Sequence, residues 1–173
     1  RFVREKVSSV IRGEIEEQTG ELPFVAGLKG GETPQLARSN AYYRTKHRVR
    51  MILIYFHAEN LNRLALGCSN YTEHATGYYV RYGDDTGDIS PIEHLLKMQV
   101  VELAKHLGVP DSIIEKAPSP DLAPGVTDEI ALGLPYSKLD VVLAGLELRK
   151  GDEDIMKAAE VEEEDIESVR KMI

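Results

Sequence analysis

Residues 64–91 constrain the fold of this chain more than any other stretch. They open with a short apolar run, residues 64–66, which is bounded by polar residues and a glycine and therefore predicts a buried strand. Small polar residues follow and lead to the acid Glu73. Open α/β sheets place ligands in such a loop, outside the carboxyl end of a strand. The pattern also fits an ordinary connection from strand to helix, with Asn70 or Thr72 as the helix N-cap.

Three motifs lie along this stretch. Residues 67–73 read G-C-S-N-Y-T-E, residues 77–84 read G-Y-Y-V-R-Y-G-D, and residues 88–91 read D-I-S-P. They resemble the motifs G-T-x-x-x-x-E, G-[YF]-x-x-[KR]-Y-G-D and D-[IL]-x-P of the NAD synthetase family, in the N-type ATP pyrophosphatase superfamily. The resemblance continues through Lys97, residues 118–122 and residues 127–129, so it covers most of the chain.

The resemblance implies an α/β fold of the Rossmann-like, adenine nucleotide alpha-hydrolase type, in which helices flank a parallel sheet. The S-G-G-x-D-S loop that the family uses for the pyrophosphate of ATP is absent from the sequence. We therefore expect residues 1–173 to be a partial, helix-rich catalytic domain without the pyrophosphate-loop half. Residues 151–173 are expected to form an acidic helical segment of the same domain. Such a chain on its own is expected not to synthesise NAD.

Apolar residues recur at close to helical spacing over most of the chain. In the longest predicted helix, residues 36–64, a basic first half is expected at the surface and an apolar second half in the core. Residues 27–31 are rich in glycine but lack the ending of a phosphate-binding P-loop, and they predict a flexible connection. The other predicted helices are 2–18, 92–107, 136–148, 154–159 and 163–172, with a short turn at 111–114 and a helix start at Thr127.

Two of these helices carry apolar stripes that are expected to face the core. In residues 36–64 the stripe is Val49, Ile52, Leu53 and Phe56. In residues 92–107 it is Leu95, Leu96, Val100, Leu103 and Leu107.

The chemistry that the resemblance implies is ATP-dependent amidation of deamido-NAD (nicotinate adenine dinucleotide) to NAD⁺ in NAD⁺ biosynthesis. A carboxylate is a poor electrophile, so ATP first adenylates it with release of pyrophosphate, and ammonia then displaces AMP. Both steps place negative charge on phosphates, so cationic side chains, backbone donors and Mg²⁺ are expected to supply most of the stabilisation. The sequence leaves open whether the nitrogen comes from ammonia or from glutamine.

Seven residues match positions that bind ligands in the family, and no residue is assigned a catalytic role. Glu73 matches a ligand of Mg²⁺, which prefers carboxylate and phosphate oxygens. The resemblance implies ATP contacts for Ser69, Lys97 and Ser119, and deamido-NAD contacts for Arg48, Arg81 and Asp84.

Three of these positions differ locally from the family pattern. Ser69 stands where threonine is usual and keeps a hydroxyl. Arg81 replaces the more common lysine, and His47 precedes Arg48 where alanine is usual.

Four of these assignments have an ordinary structural alternative. Glu73 fits a solvated acid at a helix start, Lys97 a solvated lysine, and Arg48 part of a solvated basic face. Ser119 fits a turn hydroxyl that bonds its own backbone. Cys68 is expected to be a buried thiol at the end of the strand.

Charge, apolar runs and the cysteine count indicate which compartment and which partners to expect. The formal net charge of −8 argues against nucleic-acid binding. No apolar run approaches the roughly 18–20 residues that span a bilayer, so we expect no membrane segment. The single cysteine cannot form an internal disulfide, which favours a reducing cytoplasm.

The family acts as a homodimer, and the apolar residues 51–56 fit either a dimer interface or burial within one subunit. Two rival functions stay open beside the ligase. One is a non-catalytic nucleotide-binding or interaction module that lacks the pyrophosphate loop. The other is a related ATP pyrophosphatase that acts on another acid.

Overall fold

The computed structural model of this protein describes residues 34–119 and 127–173, and for residues 34–40 and Ile130 the backbone alone. The predicted helix of residues 2–18, the glycine-rich residues 27–31 and residues 120–122 lie outside the described residues. The chain divides into two compact units. Of the described residues, the first unit holds 34–67, 80–89, 119 and 127–131, and the second holds 68–79, 90–118 and 132–173.

The described part of the chain is rich in helix, as predicted. Within it, no helix is both long and apolar enough to cross a lipid bilayer. Its helices are α1 (Pro34–Asn60), α2 (Tyr71–Ala75), α3 (Lys97–His106), α4 (Asp111–Ile114), α5 (Asp128–Leu132), α6 (Tyr136–Glu147), α7 (Asp152–Ala159) and α8 (Glu163–Arg170).

Most predicted helices are confirmed, and α4, α6, α7 and α8 begin and end close to the predicted residues. Helix α5 begins directly after Thr127, the predicted cap. Helix α3 begins at Lys97 rather than residue 92. The reason is that the Leu95 carbonyl accepts a hydrogen bond from the Tyr71 amide at 2.8 Å, so its backbone pairs outside a helix.

The predicted core face of α3 is wrong. No residue of this helix is buried, and the side chains of Leu103 and Leu107 are 38% and 69% exposed. The apolar contribution of this region to the core comes from Leu96, just before the helix, which is partly buried against it.

The prediction of a buried strand at residues 64–66 is also wrong. One parallel bridge pairs Leu66 with Ile89, and Ala65 is buried while Leu64 and Leu66 are 62% and 59% exposed. Extended backbone turns successive side chains to opposite faces, so Ala65 points inward and both leucines point outward. The β pairing in the described residues consists of this bridge and a second one, Arg81 with Asp85. A parallel sheet therefore stays a prediction.

In the first unit, backbone hydrogen bonds join residues 65–67 to residues 87–89. The Asp88 amide donates to the Ala65 carbonyl at 2.8 Å, and the Ala65 amide donates to Asp88 Oδ2 at the same distance. The Gly67 amide donates to the Ile89 carbonyl at 2.8 Å. Gly87 must be glycine here, because a Cβ on it would lie 2.3 Å from the Gly67 nitrogen.

The apolar second half of α1 is exposed, which contradicts the predicted core position. Ile52, Ile54 and Phe56 are 59%, 55% and 62% exposed, while Tyr42 and Ala58 are buried. This half of α1 also lines an apolar groove of about 390 Å³. Its walls are Leu53, Ile54, His57, Ala58, Leu61, Arg63, Leu64, Ala65 and Leu66.

The second unit has a well-packed core. Leu139, Val142 and Leu143 of α6 are buried, as its apolar stripe predicts. They belong to one cluster with Ile155, Ala159, Val161, Ile166 and Val169 from α7, α8 and their connection. At the surface, Arg170 in the last turn of α8 forms a two-pronged ion pair with Asp152, which begins α7.

Replacing Gly87 with alanine tests the close packing of residues 87–89 against residues 65–67. Because the new methyl group meets backbone rather than a flexible side chain, Gly87→Ala is expected to lower the free energy of unfolding by about 2 kcal/mol. Urea unfolding followed by circular dichroism measures the change. Gly108→Ala is the control, since Gly108 has φ +71° and open space around it, which isolates backbone strain of about 1 kcal/mol. A smaller loss for Gly87→Ala than for this control would contradict the steric argument.

Candidate functional site

In the second unit, the loop after Gly67 ends in a helix cap. Asn70 is the N-cap of α2, and its Oδ1 accepts a hydrogen bond from the Glu73 amide at 3.1 Å. In return, Glu73 Oε2 accepts from the Asn70 amide at 3.1 Å. Of the two predicted caps, Asn70 and Thr72, this reciprocal capping box confirms Asn70, and it fixes the carboxylate of Glu73 over the start of the helix.

A buried carboxylate, Asp140, joins α2, α3 and α6. Its Oδ1 accepts from the Thr72 hydroxyl at 2.6 Å, and its Oδ2 accepts from the Met98 amide at 2.7 Å. The Thr72 hydroxyl in turn accepts from the Lys97 amide at 2.9 Å. The first amides of α3 thus donate hydrogen bonds to side chains of two other helices. In many helices a side chain at the N-cap accepts these bonds instead.

Burial is the main influence on the ionisation of Asp140, which is 4% exposed. It raises the pKa of the Asp140 carboxyl above its ordinary value. The hydrogen bonds from Met98 and Thr72, and the positive charge of Lys97, act in the opposite direction and are the smaller influences.

Fixing the start of α3 also places its first side chain, Lys97, beside Glu73. The Lys97 Nζ lies 3.6 Å from Glu73 Oε1 and 5.3 Å from the ring centre of Tyr136. Both charged side chains are partly buried, so neither is a fully solvated surface group. The structure therefore brings together two of the predicted ligand residues, one predicted for ATP and one for Mg²⁺.

The surroundings of Glu73 suit a metal ion that arrives with phosphates. Among the residues that the structure describes, no cluster of three or more His, Cys, Asp or Glu side chains could enclose a metal. Mg²⁺ is commonly held by one or two carboxylates together with substrate phosphates and waters. A single carboxylate, oriented by its cap and by a lysine, fits that arrangement.

Two other residues of the same loop have different surroundings. Ser69, predicted to contact ATP, is 6% exposed. Cys68 is exposed, which contradicts the prediction of a buried thiol. The reason is again the alternation of extended backbone, which buries Gly67 and Ser69 and turns Cys68 outward.

In the first unit, the residues predicted for deamido-NAD lie together. The Arg48 Nε of α1 donates to the Arg81 carbonyl at 3.2 Å. The Arg81 guanidinium lies over the Tyr82 ring, 5.2 Å from its centre. Asp84 closes the same turn, because its Oδ1 accepts from the Val80 amide at 2.6 Å. Arg48, Arg81 and Asp84 are thus held by one helix and one turn.

The last of the predicted ligand residues is Ser119. Ser119 is exposed, and the segment it was assigned with continues outside the described residues. Asp128 is buried and Glu129 is exposed, and neither was given a role.

Sequence reasoning missed Asp140, Thr72 and His47 as residues that shape these sites. The available signal for Asp140 was an acid inside an otherwise apolar run of α6, L-D-V-V-L. His47 lies 3.6 Å from Asp84 through its Nδ1.

Comparison with known families gives one broad match. Residues 26–173 match the profile of the NAD synthase family. The NH(3)-dependent NAD(+) synthetase of Thermotoga maritima is 47% identical over 141 residues, which is 80% of this chain and 50% of that protein. The protein of the same name from Coprothermobacter proteolyticus is 49% identical over 124 residues, 72% of this chain and 42% of that protein. The chain thus spans about half the length of the curated relatives it matches.

Solved structures give a consistent fold. The NMN synthetase of Francisella tularensis superposes with a TM-score of 0.68 at 27% identity, covering 95% of this chain and 57% of that one. The NH3-dependent NAD synthetase of Campylobacter jejuni has a TM-score of 0.59 at 23% identity, covering 95% and 56%. The second likeness concerns the fold alone.

The raised pKa of Asp140 predicts a pH-dependent stability. Between the ordinary aspartate pKa of 3.8 and the raised value, the folded protein binds more protons than the unfolded chain. The free energy of unfolding of the wild type, measured against that of Asp140→Asn, should therefore fall as pH rises through this window. Urea unfolding at a series of pH values from 4 to 8 measures this difference. A difference that grows with pH would mean that the pKa is lowered instead.

Proposed function

We propose that this chain, which belongs to the NAD synthase family, is part of an enzyme that converts deamido-NAD to NAD⁺ by ATP-dependent amidation. The observation that carries the proposal is the family match, because residues 26–173 include all seven ligand residues assigned from the sequence. We also assign the chain to the Rossmann-like parallel-sheet fold, which the similarity to the Francisella tularensis structure supports.

The reaction needs an activated carboxylate. The carboxylate of deamido-NAD attacks the α-phosphorus of ATP, pyrophosphate leaves, and an acyl adenylate forms. Ammonia then attacks the acyl carbon and loses a proton to solvent, and AMP leaves with the bonding electrons of the cleaved C–O bond. The protein contributes by orienting both nucleotides and by placing positive charge near the phosphates.

The ATP side of this chemistry is assigned to the second unit. Lys97 supplies a positive charge that a phosphate can share with Glu73, from which it lies 3.6 Å away. Glu73 would hold Mg²⁺, which neutralises phosphate charge when bound. The capping box and the Asp140 network hold both residues in place, which reduces the conformational entropy that nucleotide binding would cost.

The deamido-NAD side is assigned to the first unit. Arg48 and Arg81 carry the positive charge that a dinucleotide phosphate or the pyridine carboxylate requires, and Arg81 also lies against the Tyr82 ring. Asp84, fixed by the Val80 amide and 42% exposed, offers an acceptor suited to ribose hydroxyls. Asp84 is assigned to deamido-NAD, at either the ribose or the pyridine.

Two features favour particular variants of the reaction. The names of the Thermotoga maritima and Coprothermobacter proteolyticus relatives favour ammonia as the nitrogen donor. The likeness to the NMN synthetase of Francisella tularensis supports a second candidate, amidation of nicotinate mononucleotide. An assay of the full-length protein with ATP, Mg²⁺ and ammonium separates them. NAD⁺, AMP and pyrophosphate in equal amounts from deamido-NAD support the first proposal, and turnover restricted to the mononucleotide supports the second.

A homodimer through α1 completes the proposal. Ile52, Ile54 and Phe56 are more than half exposed, so burial within one subunit does not account for them among the described residues. Ile52 and Phe56 are four residues apart and share one face of the helix, and exposed apolar side chains grouped in this way occur at protein interfaces.

Replacing Glu73 with glutamine tests the ATP side. Glutamine keeps an acceptor for the capping box but removes the negative charge, so the affinity for an ATP analogue with Mg²⁺ should fall about tenfold. Deamido-NAD affinity should stay within twofold. Titration calorimetry measures both constants, and Glu102→Gln, an exposed acid on α3, is the control. Equal losses for both ligands would argue against a local role.

Replacing Arg81 with alanine tests the deamido-NAD side. Losing one charge-assisted hydrogen bond should weaken deamido-NAD about tenfold, since such bonds contribute roughly 1.5–3 kcal/mol. The ATP analogue should bind as before in the same calorimetric titration. Arg44→Ala removes an exposed arginine from α1 and serves as the control. The proposal for Arg81 fails if the two arginine variants behave alike.

Replacing Phe56 with lysine tests the dimer. A charge placed in an apolar interface is costly to bury, so the variant should sediment as a monomer at concentrations where the wild type sediments as a dimer. Analytical ultracentrifugation measures this. Because Phe56 is 62% exposed, circular dichroism should stay unchanged. If the variant remains dimeric, the dimer interface does not include Phe56.

A further inference from the structure

His47 of α1 faces the carboxylate that the proposed dinucleotide site uses. Its Nδ1 lies 3.6 Å from Asp84 Oδ2. The side chain of His47 is 11% exposed and that of Asp84 is 42% exposed. The imidazole therefore approaches Asp84 from the protein interior and leaves the outer side of the carboxylate accessible to a ligand.

The second oxygen of Asp84 is held from another direction. The Val80 amide donates to Asp84 Oδ1 at 2.6 Å, within the turn that also carries Arg81. The Val80 amide thus fixes one oxygen of Asp84, and His47 faces the other.

Close packing keeps α1 against this turn. A Cβ built on Gly83 would lie 2.8 Å from the Cβ of His47, so the glycine allows the helix and the turn to approach. The next residue of the helix, Arg48, donates from Nε to the Arg81 carbonyl at 3.2 Å. Consecutive residues of α1 therefore contact both ends of the segment from Arg81 to Asp84.

We propose that His47 is a positioning residue for Asp84 and thereby increases the affinity for the dinucleotide, an inference that rests on the proposed function. At 3.6 Å the contact is longer than a hydrogen bond. Such contacts often shorten when a ligand completes a site. His47 acts through Asp84 and does not itself touch the ligand.

A double-mutant cycle on the full-length protein tests this inference. The four proteins are the wild type, His47→Ala, Asp84→Asn and the double variant, each titrated with deamido-NAD and with an ATP analogue plus Mg²⁺. His47→Ala should weaken deamido-NAD about fivefold and leave the ATP analogue within twofold. In the Asp84→Asn background the same change should have no further effect. His47→Gln, which keeps an N–H donor, should recover most of the loss.

Thr45→Ala, on the same helix, is the control for nonspecific damage to α1. Equal losses from His47→Ala with and without Asp84 would overturn the positioning role, and so would a loss in His47→Ala that His47→Gln does not reduce. Failure of the proposed function looks different, because wild-type protein would then bind no deamido-NAD.

Discussion

The second unit depends on a buried carboxylate that joins three parts of the chain. Asp140 accepts hydrogen bonds from the Thr72 hydroxyl and the Met98 amide, so α6, α2 and the beginning of α3 meet at one side chain. A buried acid is unfavourable unless such donors surround it. The consequence for function is geometric. The Lys97 amide donates to the Thr72 hydroxyl and the ammonium of Lys97 lies 3.6 Å from Glu73, so this network supports both residues of the proposed ATP site.

In the first unit, backbone contacts support the residues that are proposed to bind deamido-NAD. Residues 65–67 pair with residues 87–89 so closely that Gly87 has no room for a side chain. Residues 80–84, shortly before Gly87, form a tight turn against α1, and there His47 and Arg48 contact Asp84 and Arg81. Polar groups proposed to bind deamido-NAD therefore lie on a turn supported by a long helix. Such support is what keeps a loop site in one arrangement.

The sequence predicted the local features well because their causes are local. The spacing of Asn70 and Glu73 is that of a capping box, and the apolar spacing of α6 gives its buried face. Features that depend on distant partners were missed. Asp140 finds its donors 68 and 42 residues away, at Thr72 and Met98. The exposure of Leu64, Cys68 and Phe56 was also missed, since apolar residues in a pattern do not indicate whether anything covers them.

The affinity of Asp140→Ala for an ATP analogue with Mg²⁺ tests the central claim most directly, because Asp140 lies behind the proposed site. Titration calorimetry should be performed at a temperature where circular dichroism shows the variant folded. If Asp140 places Lys97 beside Glu73, the affinity should fall about tenfold while that for deamido-NAD stays within twofold. A folded Asp140→Ala protein that binds the ATP analogue as tightly as the wild type would contradict the account.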